Sequence, residues 1–296
     1  MSNIKKIKAT GSTIYKHLGG QKAVYIFVFA LFCLYALILL FPIACLIVNS
    51  FKGSLEYLNG NMFYLPEKWL FSNYIEVFDL LVVNDTSFFG MLLNSIWFSL
   101  GSTAVSVICS SMTAYCVAKY RFVLQKPLYF IAIFTMIIPI VGALPAQYKL
   151  MYDLHIANSP LFLISYTGGF GFNFIILYGF FKSISGTYAE AAKIDGAGNH
   201  VVFWRIMMPQ AKAPIVSLAI IACIGVWNDY QTPILYLSNF PNLASGLYEY
   251  ESNMMRLANY PVYFAGVLIS TVPILFVFIA FQKTIMNNVV AGGLKG

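Results

Sequence analysis

The sequence predicts an all-α membrane protein that crosses the bilayer six times, and three observations carry that prediction. Of the 296 residues, 59% are hydrophobic and only 10% are charged, whereas a soluble domain carries about 25% charged residues. Uncharged stretches recur that suit helices of about 20 apolar residues, the length that spans a hydrocarbon core. Basic residues alternate between dense and sparse from one connecting segment to the next, which is the pattern of a chain threaded back and forth across a membrane.

The spans follow from where charge is absent. No Asp, Glu, Lys or Arg occurs between Lys22 and Lys52, Asp85 and Lys119, Lys126 and Lys149, Asp153 and Lys182, or Arg256 and Lys283. These windows place spans over residues 23–48, 88–117, 128–149, 160–181 and 262–282. A further apolar run over 214–237, interrupted only by Asp229, supplies the sixth. The first window is too long for a removable signal peptide and lacks its small-residue cleavage pattern, so it is expected to stay as a span behind a cytoplasmic segment, residues 1–22.

Orientation follows from the charges between the spans. With the N-terminus inside, the inner segments hold 14 of the 18 basic residues and only two acidic ones, Glu190 and Asp195. Charge then divides as +12 inside against −5 outside, and the positive-inside rule places both termini in the cytoplasm. The net +7 therefore reports orientation, and no nucleic-acid partner is expected.

Several spans contain residues that perturb helices: Pro139 and Pro145 in the third, Gly168, Gly169 and Gly171 in the fourth, Pro273 in the sixth. Each marks either a kink beside a pathway or close packing of neighbours, and close packing is the plainer reading. The outer segment from Lys52 to Asp85 has room for short amphipathic structure but not for a domain. Its Asn84-Asp85-Thr86 sequon is too common by chance to carry weight. Cys33, Cys45, Cys109, Cys116 and Cys223 lie in apolar runs without disulfide or metal spacing, and read as small packing residues. His17, His155 and His200 are scattered, so no metal site is expected.

Between the fourth and fifth spans, residues 183–212 form a long inner loop of unusual character. Thr187 and Glu190 have the spacing of a capping box, which would open a short Ala-rich helix. Gly196 and Gly198 permit a sharp change of direction. A second short helix from about Asn199 would present Phe203, Ile206 and Met207 at helical spacing and end at Pro209. The expected result is an L-shaped helix pair, and these residues taken alone require no more than a structured loop packed on the bundle.

The same string resembles the EAA loop of ABC importer permeases, in which Glu-Ala-Ala is followed by Asp-Gly-Ala, an aromatic, Ile, and Leu-Pro. Here the pattern is carried by Glu190, Ala191, Ala192, Asp195, Gly196, Ala197, Phe203, Ile206 and Pro209, with Met208 in place of the usual Leu. Asn94-Ser95, Lys119-Tyr120-Arg121-Phe122, Gly179-Phe180-Phe181 and Trp227-Asn228-Asp229-Tyr230 resemble the carbohydrate-uptake branch, and the chain's end resembles the smaller maltose-type permease, the MalG kind. The resemblance implies a type I ABC importer permease in a prokaryotic cytoplasmic membrane, with a permease domain over residues 23–290. It also implies a cytoplasmic tail, 291–296, whose Gly292, Gly293 and Lys295 reach toward the ATPase dimer. The loop would be the coupling helix that docks on that ATPase, with Glu190 facing a basic group there and Ala191 and Ala192 letting backbones approach. Phe203, Ile206 and Met207, apolar positions on the basic inner face, are expected to be exposed and to form part of that contact surface.

The implied partners are a second and distinct permease, an ATPase dimer that binds ATP and Mg, an external solute-binding protein, membrane lipid and a sugar substrate. This chain has no Gly-x-x-x-x-Gly-Lys-Ser/Thr phosphate loop, so it needs no cofactor of its own and is expected to be no enzyme. An intramembrane protease would need paired carboxylates, metal-binding histidines or a serine with a base at bilayer depth, and the spans offer none. A gradient-driven transporter would need ionisable groups inside its spans, and five of the six windows have none. Trp227, Asn228, Asp229 and Tyr230 form the most polar and aromatic patch within the spans. Two readings stay open there: a sugar-facing pathway, or a carboxylate at the outer interface that meets water.

Overall fold

The computed structural model describes residues 19–137, 142–252 and 259–293. Among them the chain is helical, and the single β feature is a bridge between Val83 and Thr86. Asn84 and Asp85 close it with φ of 47° and 60°, the two left-handed positions of a tight hairpin turn. The sequon is thus a turn with a structural task.

Helix α1, Gly19–Ser50, is apolar all round, and its side chains from Val24 to Phe41 are largely exposed. A helix without a polar face has lipid or protein as its solvent. The end of α1 is tied down by polar contacts from the segment that follows. Asn73 Nδ2 donates to the carbonyls of Ser50 and Lys52 at 2.8 and 2.9 Å, and Lys52, 2% exposed, donates from Nζ to the Asn61 carbonyl at 3.1 Å. Two short helices lie there, α2 (Ser54–Asn59) and α3 (Ser72–Leu80), which is the limited structure expected of that segment.

The central element is α4, Phe88–Lys119, opened by Ser87 Oγ accepting from the Gly90 N–H. Ser95, Ser99, Ser102 and Ser110 recur at helical spacing and are buried. Small side chains on one face let neighbouring helices approach closely. Against α4 pack α7, Phe172–Ser183, and α11, Lys212–Trp227.

The third expected span takes the form of two helices, α5 (Gln125–Ile137) and α6 (Leu144–Asp153). Pro145 does not kink a continuous span but sits in the first turn of α6, where its missing N–H costs nothing; Pro139 lies outside the described residues. In the fourth, a 3-10 helix, Pro160–Thr167, meets α7 at 54°. Gly168–Gly171 make that break and also serve packing. A Cβ on Gly169 would lie 2.2 Å from Thr113 Oγ1 of α4, and Gly171 has φ of +122°.

After α11 come α12 (Gln231–Tyr236), α13 (Leu243–Ser252) and α14 (Tyr260–Gly293). Pro273 lies within a continuous α14, which packs along α1 and α11. By length and apolarity α1, α4 and α14 each suffice to cross a membrane, and up to five crossings result if each bent pair is one span. Helix α5, with 13 residues, falls short of the roughly 20 needed.

Candidate functional site

The loop after α7 folds as an L, and its local chemistry explains why. Helix α8 spans Thr187–Ile194. The anticipated capping box does not form: the helix begins one residue too early for Thr187 to cap it. Instead Ser185 Oγ accepts from the Thr187 N–H at 3.3 Å. At its other end the Gly196 N–H donates to the Lys193 carbonyl and the Ala197 N–H to the Ala192 carbonyl, at 3.0 and 2.9 Å. With Gly196 at φ +84°, this is the paired 5→2 and 6→1 bonding of a Schellman stop. The Asp-Gly-Ala triplet is therefore a helix terminator. Gly198, extended, then starts α9, Asn199–Val201.

The second arm is one continuous run, Asn199–Gln210, that meets α11 at 78°. Its middle, Val202–Met207, is a π-helix, followed by α10, Met208–Gln210. Pro209 lies within that last turn and does not end the helix at its own position. Each wider π turn shifts the side-chain register, and here the run turns Val202, Phe203 and Met207 inward together.

Burial divides the motif. Phe203 is 6% and Met207 0% exposed, and Ile206 is partly buried against the same core. The expectation that these three form an exposed contact surface is therefore wrong. They are the foot by which the loop stands on the bundle. Tyr115 of α4 holds the Phe203 ring at 5.1 Å and the Phe181 ring at 5.6 Å. Ala192, at 9%, also faces this core, so its small side chain serves approach within the chain. Lys119 Nζ donates to the Ile184 carbonyl, and Lys193 Nζ lies 5.9 Å from the Tyr120 ring. A cleft of about 200 Å³ opens beside this anchor, between Cys116 and His200.

The outward face of α8 is different. Glu190, Ala191 and Asp195 are exposed, Tyr188 is 55% and Ile194 86% exposed. Sequence reasoning did not single out Tyr188 and Ile194 as exposed apolar residues of α8. The signal was available in the spacing: Ala189 and Ala192 repeat on one helical face, and Tyr188, Ala191 and Ile194 repeat on another.

The second candidate group lies at the other end of α11, about 24 Å along a helix of 16 residues, and does not join the loop. Trp227 is 8% exposed, and its Nε1 donates to the Ser270 carbonyl of α14 at 3.3 Å, a packing role. Asp229 Oδ1 accepts from the Thr232 N–H in the first turn of α12 at 3.0 Å, while Asn228 is exposed beside it. Asn242 Nδ2 holds the Asp229 carbonyl at 2.8 Å. Tyr230 stacks on Tyr248 of α13 at 4.7 Å, and burial raises the Glu249 carboxyl next to it in sequence above its ordinary value. At the chain's end Gly292 and Gly293 close α14, and Lys295 lies outside the described residues. Among the described residues no cluster of His, Cys, Asp and Glu could hold a metal ion.

Known proteins resemble this chain over most of its length. The chain is 27% identical over 270 residues to a diacetylchitobiose uptake system permease of Streptomyces coelicolor, covering 90% of this chain and 87% of the relative. It is 28% identical over 275 residues to a galactooligosaccharide transport system permease of Bacillus subtilis, covering 92% and 95%. A solved bacterial ABC transporter involved in import of the acidic polysaccharide alginate superposes with a TM-score of 0.73 at 25% identity, over 91% of this chain and 99% of that one. Residues 106–285, which run from the middle of α4 through the L-shaped loop into α14, match the model of the binding-protein-dependent transport system inner membrane component. The chain accordingly belongs to that family of membrane-embedded ABC transport permeases.

Proposed function

We propose that this chain is one of two distinct permease subunits of an ATP-driven importer of a sugar or oligosaccharide, and that residues 183–212 dock it onto a separate ATPase. The two-sidedness of α8 carries the docking reading. Its inner face is fixed to the bundle through Ala192, while Ile194, 86% exposed, stands beside the exposed carboxylates Glu190 and Asp195. An exposed apolar residue ringed by polar ones suits a protein contact. Because the loop ends in a hydrogen-bonded turn and an anchored foot, closure of the ATPase pair moves it as a lever. The spans then switch between inward-open and outward-open states. ATP and Mg belong to the ATPase, the solute arrives on an external binding protein, and the sugar is inferred from the substrates for which the relatives are named.

The test is co-purification of the membrane complex with a tagged ATPase subunit. Ile194→Asp and Glu190→Lys are each expected to reduce ATPase recovery at least tenfold, roughly 1.4 kcal/mol or more, with unchanged amounts of this chain in the membrane. Full recovery with both variants would reject α8 as the docking surface.

We further infer six crossings with both termini and the loop in the cytoplasm; the charge division of +12 against −5 supports this. A cysteine at Tyr188, in a background without other cysteines, should react with an impermeant maleimide only after the membrane is opened. Labelling in sealed cells would reverse the topology.

A further inference from the structure

We propose that two tyrosine pairs flanking α12 are stacking platforms for sugar rings, so that this chain itself grips an oligosaccharide at two points; the inference rests on the carbohydrate reading above. Tyr148 and Tyr152 of α6 have ring centroids 4.5 Å apart, and Tyr148 packs at 6.0 Å on Tyr236, the last residue of α12. At the first turn of α12, Tyr230 stacks on Tyr248 with planes inclined by only 17°. The four outer rings are 39–46% exposed, whereas Tyr236 behind them is 4% exposed and its hydroxyl has no partner.

Tyrosines are also enriched at membrane interfaces, where they meet lipid headgroups. The helices that carry these rings also bear polar and charged groups, Gln147, Lys149 and Asp153 on α6 and Glu249 and Glu251 on α13; such groups hydrogen-bond sugar hydroxyls as well as headgroups, and the dependence of uptake on sugar length separates the two. Each outer ring also packs against its partner, tilted by 38° in the α6 pair and stacked in the other, which restrains its plane while much of the ring stays exposed. A sugar ring offers an apolar face of C–H groups edged with hydroxyls. A fixed aromatic face with polar groups at its edge matches it, and pre-set geometry lowers the ordering cost of binding. Tyr230 and Tyr236 mark the two ends of α12, about 9 Å of helix rise apart, and the α6 pair stands a further ring contact from Tyr236, so the pairs are separate platforms for different sugar units. Longer substrates therefore gain from the second platform, and short ones settle on either.

The experiment uses the complete transporter, with both permeases, ATPase and binding protein, in proteoliposomes. Maximal uptake of galacto-oligosaccharides, arabino-oligosaccharides and N-acetylated chito-oligosaccharides of two and five units is measured at saturating binding protein. The doubles Tyr148→Ala/Tyr152→Ala and Tyr230→Ala/Tyr248→Ala are compared with the corresponding Phe doubles. For a transported series, each Ala double should lower pentasaccharide uptake about tenfold, the scale of one or two aromatic contacts, and disaccharide uptake less than twofold. The Phe doubles should stay within twofold of the unmodified complex at both lengths. Equal losses at both lengths would mark the tyrosines as assembly contacts and overturn the platforms alone, as would no loss at all. An unmodified complex that hydrolyses ATP in response to its binding protein but accumulates none of these sugars would overturn the carbohydrate reading, and the platforms with it.

Discussion

Gly196→Pro should abolish ATP-driven uptake while leaving the chain in the membrane, and Gly196→Ala should only weaken it. Three separate requirements fail with proline. Residue 196 has φ of +84°, whereas the proline ring fixes φ near −65°. The Gly196 N–H that donates to the Lys193 carbonyl is lost. Asp195, at φ −74° and ψ 7°, would occupy a helical region disfavoured before proline. Together these exceed about 3 kcal/mol, the cost of one misplaced proline, and the α8 stop dissolves. Alanine keeps the N–H, and no atom lies within 4 Å of the Cβ it would add. Its cost is only the left-handed backbone, about 1–2 kcal/mol. Uptake by reconstituted complexes, with the amount of inserted chain as control, separates the two variants. Normal uptake by the proline variant would mean that the L-shaped turn is not needed for coupling.

How much of this was legible in the sequence depends on the range of the interactions involved. The apolar windows and the charge alternation located the long helices, because solvation by lipid acts on each segment by itself. Gly196 was legible as a turn, since glycine's freedom at positive φ is a local property. The interruptions were less so: Pro145 reads like a kink in a long span, yet Gly142 turns the chain at φ +83° and α6 starts at Leu144, which puts Pro145 in its first turn. Thr187 and Glu190 satisfied a capping pattern, but Ser185, two residues upstream, took the N–H instead. Phe203 and Met207 were misassigned for a physical reason too. Whether an apolar residue in an amphipathic arm faces its own bundle or a partner is settled by tertiary neighbours such as Tyr115 and Phe181, 88 to 92 positions and 22 to 26 positions away in the chain, and by a π register that spacing rules for an α-helix do not anticipate. Asp229 was left between two readings, and its bond to the Thr232 N–H gives it a third role, holding the first turn of α12.

The inward placement of Phe203 and Met207 leads to the second large effect, which is on stability and not on the docking surface itself. Both are nearly or fully buried in the cluster that joins α4, α7, α8 and α11. Truncating a buried Phe to Ala costs about 3–5 kcal/mol and a buried Met about 2–5 kcal/mol, because the cavity left behind collapses only in part. In Phe203→Ala the ring contact with Tyr115 is lost as well, so the foot loosens and the loop opens to proteolysis. Limited trypsin digestion of the purified complex should then cleave at Lys193 and Arg205 well before the rest of the chain, and thermal unfolding should begin earlier. Ile194→Ala, which removes a side chain that is 86% exposed, should leave both measurements unchanged while weakening ATPase recovery. The opposite pairing, a stable Phe203→Ala chain that fails to bind the ATPase beside an Ile194→Ala chain that binds normally, would restore Phe203 to the contact surface and place the docking face on the second arm.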